Sequence, residues 1–190
     1  WVFFTSIYMK SIKSNLQEKI AFLKLRSGDS DAFAFFYDKY VKSIYRFIYI
    51  KVSTKQVAED LTQDVFLKVW QHLVDKKNVR SFQAFIFRVA RNTVVDHYRS
   101  SKQELPLDYM PESVEIVEEL ILSVDKNLDA ELLLKDIAKL KSEYQEVLLL
   151  RYVEDMSIDD IAHVMAKNKN NIRVIIHRAL SKLKTITKGK

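Results

Sequence analysis

Val147-Leu148-Leu149-Leu150-Arg151-Tyr152-Val153 leads into Ser157-Ile158-Asp159-Asp160-Ile161-Ala162-His163-Val164-Met165. After a short polar break comes Asn171-Ile172-Arg173-Val174-Ile175-Ile176-His177-Arg178-Ala179-Leu180-Ser181-Lys182-Leu183-Lys184. Two short helices joined by a few residues, the second studded with Arg, Lys and His, have the layout of a helix-turn-helix DNA reader. Ser157 is a good N-cap, with Asp160 at the capping-box position. Ile158, Ile161 and Ala162 on one helix, and Ile172, Ile175, Ile176 and Ala179 on the next, give two faces that can pack together. Lys169, Asn170, Arg173, His177 and Arg178 are left on the outer side, and Arg and Asn suit guanine and adenine edges in the major groove. A plain helical hairpin with a basic surface satisfies the same pattern.

Composition narrows the remainder. The chain has 190 residues, enough for one ordinary domain or two small ones. Only two Gly and two Pro leave few turns that need positive φ, which disfavours strand-rich folds, phosphate cradles and dinucleotide fingerprints. Charged residues at 29% and hydrophobic ones at 48% describe a globular chain. With no cysteine, disulfides and thiolate metal sites are excluded. A formal net charge of +6 favours an anionic partner. No apolar run reaches the length of a bilayer span, so no membrane insertion is expected. Trp1 to Tyr8 are apolar but lack a basic start and a small-residue cleavage site, so Met9 is read as the natural start and the protein as cytoplasmic.

Charge is unevenly distributed. From Lys76 to Lys102 seven Lys or Arg face the single acid Asp96; from Gln103 to Glu131 nine acids face Lys126; from Lys167 to Lys190 eight bases meet no acid. Pro106 and Pro111 both fall at the start of the acidic stretch, where a helix is least able to continue. The expectation is an all-α chain: two small helical domains, each with a basic surface, joined by an acidic linker.

The front half reads as helices. Asp29-Ser30-Asp31 forms a capping cluster ahead of a stripe of Phe33, Phe36, Tyr37, Tyr40, Ile44, Tyr45, Phe47 and Ile48. A second helix runs from near Thr54 to about His72, with Leu61, Val65 and Val69 in one row and Phe66, Trp70 and Leu73 in another. A third follows Ser81, turning Phe82, Phe85, Ile86, Val89 and Ala90 inward and leaving Arg88, Arg91, Asn92 and Arg99 outside.

Catalysis finds no support in these residues. His72, His97, His163 and His177 are scattered, and the spacing of His163 from Asp160 suggests a surface contact. Asn92 and Asp96 suit a helix-surface hydrogen bond. No catalytic set, metal site or cofactor is expected. Glu59, Asp60, Gln63 and Asp64 form either a solvated face or a docking surface for a basic partner. Between Asp75 and Arg99, Phe82, Phe85, Phe87 and Tyr98 interleave with Lys76, Lys77, Arg80, Arg88, Arg91 and Arg99. That mixture suits opened DNA, where bases neutralise phosphates and aromatics accept unstacked bases, or else a core helix with a basic outer face.

At these residues the chain resembles bacterial RNA polymerase sigma factors of the two-domain extracytoplasmic-function (ECF) type. Asp31-Ala32-Phe33 through Tyr40 is similar to the first helix of that family. Ala58-Glu59-Asp60-Leu61-Thr62-Gln63-Asp64-Val65-Phe66-Leu67-Lys68-Val69-Trp70 resembles its polymerase-docking helix. Phe85-Ile86-Phe87-Arg88-Val89-Ala90-Arg91-Asn92, with Asp96 and Arg99, resembles its promoter-melting helix. Gln145-Glu146-Val147-Leu148-Leu149-Leu150-Arg151-Tyr152 and the helices after it resemble its C-terminal promoter-binding domain.

The resemblance implies an extension over 1–15, sigma region 2 over 16–102, an acidic linker over 103–130 and sigma region 4 over 131–190. It implies a factor, not an enzyme, that binds core polymerase at the largest-subunit coiled coil and the flap, binds promoter DNA, and in many family members has an anti-sigma partner. Glu59, Asp60, Gln63, Asp64 and Phe66 would contact polymerase. Lys76, Lys77, Arg80, Phe82, Arg88, Arg91, Asn92 and Arg99 would capture the minus-ten element. Lys169, Asn170, Asn171, Arg173, Val174, His177 and Arg178 would read the minus-thirty-five element.

The chain also departs from the family. Ala166-Lys167 stands where a Gly and an apolar residue are usual, and Asn168-Lys169-Asn170-Asn171 where Ser-Glu-Gly-Thr is frequent; the Asn residues can supply the positive φ of a turn. Ile175 replaces a frequent Arg, removing a phosphate contact, and Phe85 replaces a Trp. The rival reading is a helix-turn-helix regulator that acts without polymerase docking.

Overall fold

The computed structural model describes residues 17–18, 20–25, 29–52, 54–75, 79, 81–100, 136–137 and 139–188. The expected N-terminal extension, the linker, and Lys76, Lys77 and Arg80 lie outside these residues. Helix α1 (Ser30–Val52) starts where the Asp29 carboxylate accepts the Asp31 N–H at 2.9 Å, with Asp31 at its positive end and Lys51 at its negative end. Helix α2 (Lys55–Val74) follows at once, with Thr54 as its extended N-cap, and α3 (Phe82–Ser100) completes the front unit. The three pack pairwise.

Phe36, Tyr40, Ile44, Phe47 and Ile48 of α1 bury against Val65, Phe66 and Val69 of α2 and Phe82, Ile86, Phe87 and Ala90 of α3. Aromatic rings dominate this core. Phe36 stacks on Phe82 with centroids 3.9 Å apart, Phe47 meets Phe87 edge-on at 5.4 Å, and Phe33 meets Trp70 at 4.9 Å. Each such pair contributes about 0.5–1.5 kcal/mol beyond its buried area. Buried polar groups find partners: the Thr62 hydroxyl donates to the Ala58 carbonyl at 2.6 Å, and the Tyr98 hydroxyl to the Lys51 carbonyl at 2.7 Å. The Tyr40 phenol donates to Glu18; burial pushes it far above its ordinary pKa and the neighbouring carboxylate adds to that.

The inward face of α3 is rotated from the expected one. Phe87 is buried, as are Thr93 and Val94, while Phe85 and Val89 are only partly covered. The reason is that α3 has two neighbours: one side joins the core with α1 and α2, and the other turns toward the C-terminal unit. Tyr37, expected in the stripe, is exposed and covers the Phe66 ring from outside, 4.7 Å away.

In the C-terminal unit α4 (Ser142–Leu148) continues as a π-helical turn, Leu149–Val153, where the Glu154 N–H reaches five residues back to the Leu149 carbonyl at 3.0 Å. Arg151 braces the exit by donating to the Met156 carbonyl at 2.6 Å. Helix α5 (Ile158–Val164) is capped as expected, the Ser157 hydroxyl oxygen accepting the Asp160 N–H at 3.1 Å. The positive φ of the following turn falls on Ala166 (53°), not on an Asn. There the Lys167 N–H closes back on the Ala162 carbonyl at 3.0 Å, a Schellman closure in which glycine is usual. Asn168 instead caps α6 (Lys169–Lys188), its side-chain oxygen accepting the Asn171 N–H at 2.8 Å. Val147, Leu148, Leu150, Met156, Ile161, Val164 and Ile172 are fully or almost fully buried between these helices. The described residues contain no strand, so the chain is all-α as expected.

Candidate nucleic-acid interface

Helix α6 separates its two faces cleanly. Ile172, Ile175, Ala179 and Leu183, spaced by three or four residues, bury one side. Lys169, Asn170, Asn171, Arg173, Val174, His177 and Arg178 are all exposed on the other. Ile175 is a packing residue, so the position is not one from which a side chain could reach a phosphate without leaving the core. The Arg173 guanidinium donates to the Asn170 side-chain oxygen at 2.9 Å, one turn back. Lys169 pairs with Asp159 at 2.7 Å, but both side chains are more than half exposed, so the pair is worth about 0–1 kcal/mol and exchanges readily for a phosphate.

On α3 the structure sorts the expected strand-capturing residues into three groups. Arg88, Asn92 and Arg99 are exposed. Arg91 is partly covered because Glu146 holds its Nε at 3.1 Å. Phe82 lies in the core on Phe36, so its ring is not at the surface; stacking on a neighbouring aromatic outweighed exposure to solvent. The basic residues ahead of α3 fall outside the described part.

On α2, Glu59, Asp60 and Gln63 are exposed and Asp64 is half-exposed, 3.1 Å from Lys68 one turn on. Phe66 is buried against Phe33 and Tyr37, and so is a support for this face and not part of it. Two residues the sequence reading missed join the face: Leu67 is 60% exposed and Val74 58%. Asp60, Asp64, Leu67, Gln71 and Val74 recur at alternating spacings of four and three, the period of a coiled-coil seam. The signal was present, since Leu67 lies off the buried Val65–Val69 row.

A second group was not foreseen: contacts that join the two units. Glu146 accepts from Lys51 Nζ at 2.8 Å as well as from Arg91, and Glu154 accepts from Arg46 Nη2 at 2.8 Å. Gln83 Nε2 donates to the Glu154 carbonyl at 2.7 Å. Arg88 Nη1 lies 3.2 Å from His163 Nε2; a guanidinium can only donate, so the imidazole nitrogen accepts. His163 thus meets Arg88, while Asp160, its expected neighbour, is engaged by the Ser157 hydroxyl. Between α3 and the start of the C-terminal helix pair lies a cleft of about 1030 Å³, lined by His72, Phe85 and Asn92 on one side and Asp159, Asp160 and His163 on the other. No helix among the described residues is long and apolar enough to cross a membrane.

Two stretches of the chain match family models of known proteins. Residues 36–104 match the model of Sigma-70 region 2, and residues 130–183 that of Sigma-70, region 4. The ECF RNA polymerase sigma factor BldN of Streptomyces coelicolor is 33% identical over 163 residues, covering 84% of this chain and 62% of that protein. The ECF RNA polymerase sigma factor ShbA of Streptomyces griseus subsp. griseus is 30% identical over 142 residues, covering 70% of this chain and 72% of the relative. Among solved structures, CnrH in complex with the cytosolic domain of CnrY superposes with a TM-score of 0.63 at 22% identity, over 92% of this chain and 99% of that one, a likeness of fold.

Proposed function

This chain belongs to the ECF RNA polymerase sigma factors, and from that membership we infer that it binds core RNA polymerase and directs promoter recognition and melting. The observation that carries the reading is the division of α6, where all seven residues expected at the minus-thirty-five element lie on the exposed face while Ile172, Ile175, Ala179 and Leu183 bury the other. Arg173 and Arg178 would contact phosphates or guanine edges, Asn170 and Asn171 adenine edges, and Val174 a thymine methyl. Arg88, Arg91, Asn92 and Arg99 of α3 would hold the non-template strand of the minus-ten element, with a base extruded at a cost of roughly a few kcal/mol.

The seam of Asp60, Asp64, Leu67, Gln71 and Val74, flanked by Gln63, supports docking on a coiled coil of the polymerase, which gives this reading the advantage over a regulator acting through α6 alone. We assign the chain no chemistry of its own; the polymerase performs catalysis, and the factor works beside it in the cytoplasm. The solved structure of the sigma factor RpoE in complex with the anti-sigma factor NepR from Bartonella quintana makes a protein of that kind a candidate partner here.

Run-off transcription with core polymerase from the source organism and a promoter library tests the reading. The chain is expected to yield discrete start sites that vanish with Asp60→Ala and Asp64→Ala. Unselective or absent transcription across the library would refute it.

A further inference from the structure

We propose that Asn170 is a positioning residue that holds the Arg173 guanidinium ready to read a guanine, so that this pair sets one letter of the sequence α6 selects. The proposal rests on the promoter reading of α6 given above.

The pair lies where the chain departs from its family. Asn168-Lys169-Asn170-Asn171 stands in place of the frequent Ser-Glu-Gly-Thr, and each of the first three side chains makes a bond. Asn168 accepts the Asn171 N–H at 2.8 Å, Lys169 donates to Asp159 of α5 at 2.7 Å, and Asn170 accepts from Arg173 at 2.9 Å. A glycine at position 170 has no side-chain oxygen to offer, so the contact with Arg173 comes with this chain's own residue.

Helix geometry explains why the two side chains meet. Side chains on a helix lean back toward its N-terminus, so Arg173 extends over the turn that carries Asn170, three residues earlier. That turn is the first of α6, the part of a recognition helix whose side chains reach base edges. Both residues are exposed, and neither belongs to the buried row of Ile172 and Ile175. The contact therefore adds nothing to the core. Its effect is on Arg173, a long side chain that otherwise spreads over many rotamers and must give up that freedom on binding.

Hydrogen-bond chemistry then selects the base. A guanidinium only donates, so the amide atom facing Arg173 Nη1 is Oδ1. One of the five N–H donors is spent on Asn170, and the rest include a free two-pronged edge. Two donors side by side need two acceptors, which guanine presents as N7 and O6; adenine presents one acceptor beside a donor. Asn170 is correspondingly withdrawn from reading adenine, since that pairing takes its Oδ1 and Nδ2 together, and adenine falls to Asn171. A phosphate also accepts an arginine fork, but loss of such a contact weakens all sequences alike.

The full chain, bound to core RNA polymerase, selects from a pool of promoter-length duplexes of random sequence. Enriched sequences are compared for the parent, Asn170→Ala, Asn170→Asp, Arg173→Ala and the double alanine variant. The parent is expected to enrich a guanine whose preference Arg173→Ala abolishes. Asn170→Ala is expected to lower that preference by about 2- to 12-fold, the worth of fixing one mobile side chain. Asn170→Asp keeps the acceptor and is expected to retain the preference, and Asn170→Ala is expected to cost nothing further once Arg173 is gone. The same variants are read without DNA through the 15N order parameter at Arg173 Nε in the free chain. It is expected to be high in the parent and Asn170→Asp and below about 0.6 in Asn170→Ala. A guanine preference that survives Asn170→Ala, or an Arg173 equally mobile with and without Asn170, overturns the positioning role. Loss of affinity for all sequences alike in Arg173→Ala overturns the guanine assignment. A parent that enriches no sequence, while Asn170 still orders Arg173, refutes the promoter reading and the guanine assignment with it.

Discussion

Ala166 carries a left-handed backbone conformation that costs an L-residue about 1–2 kcal/mol and glycine almost nothing. It does so because the Schellman closure from Lys167 to Ala162 is the geometry that turns α5 into α6 at the required angle. Ala166→Gly is therefore expected to stabilise the chain by about 1 kcal/mol and raise Tm by about 2–4 °C; a lower Tm in a thermal melt would contradict the turn geometry. Arg173 and Arg178 are the other residues whose replacement is diagnostic. Arg173→Ala with Arg178→Ala is expected to weaken duplex binding and flatten its salt dependence, by about 0.9 in the log–log slope for each phosphate that is no longer neutralised. A slope equal to the parent's would remove both from the interface.

Among the elements, α2 presents a seam that is half acidic and half apolar. Replacing Leu67 by Asp leaves its buried neighbours untouched, since the side chain already faces solvent. Leu67→Asp is expected to weaken capture of core polymerase by about 1–3 kcal/mol in a binding titration, while the helical content stays constant; undiminished capture would move docking elsewhere. Much of this was legible in sequence. The period of Ile172, Ile175 and Ala179 assigned the buried side of α6, and Ser157 announced the start of α5, because both signals act over one helical turn. The inward face of α3 was less legible: Phe85 and Phe87 are equally apolar, and only the arrival of a second neighbour decides which is covered. Phe66 and Phe82 misled for the same reason, since an aromatic in a functional stretch is also the best core residue available.

For the whole molecule, the contacts of longest sequence separation, Arg46–Glu154 and Lys51–Glu146, leave no trace in any local pattern. They join two helical units whose buried apolar residues form one continuous cluster. Removing one member of such a buried pair costs about 3–5 kcal/mol. Calorimetry of the parent is expected to show one cooperative transition. Lys51→Ala with Glu154→Gln is expected to split it into two, because each unit then melts by its own stability. A single transition in the variant would mean that the α3–α5 packing alone couples them.

The double engagement of Glu146 bears on how such a protein moves through a cell crowded with DNA. A genome offers about 10⁶–10⁹ non-specific sites, and a chain with a net charge of +6 and a bare basic helix would be soaked up by them. A carboxylate held 3.1 Å from Arg91 is an internal competitor that keeps this cation from counting toward such non-specific binding. With Arg46, Lys51 and Arg91 each neutralised within the chain, the net charge overstates how much of the surface is left to attract phosphate.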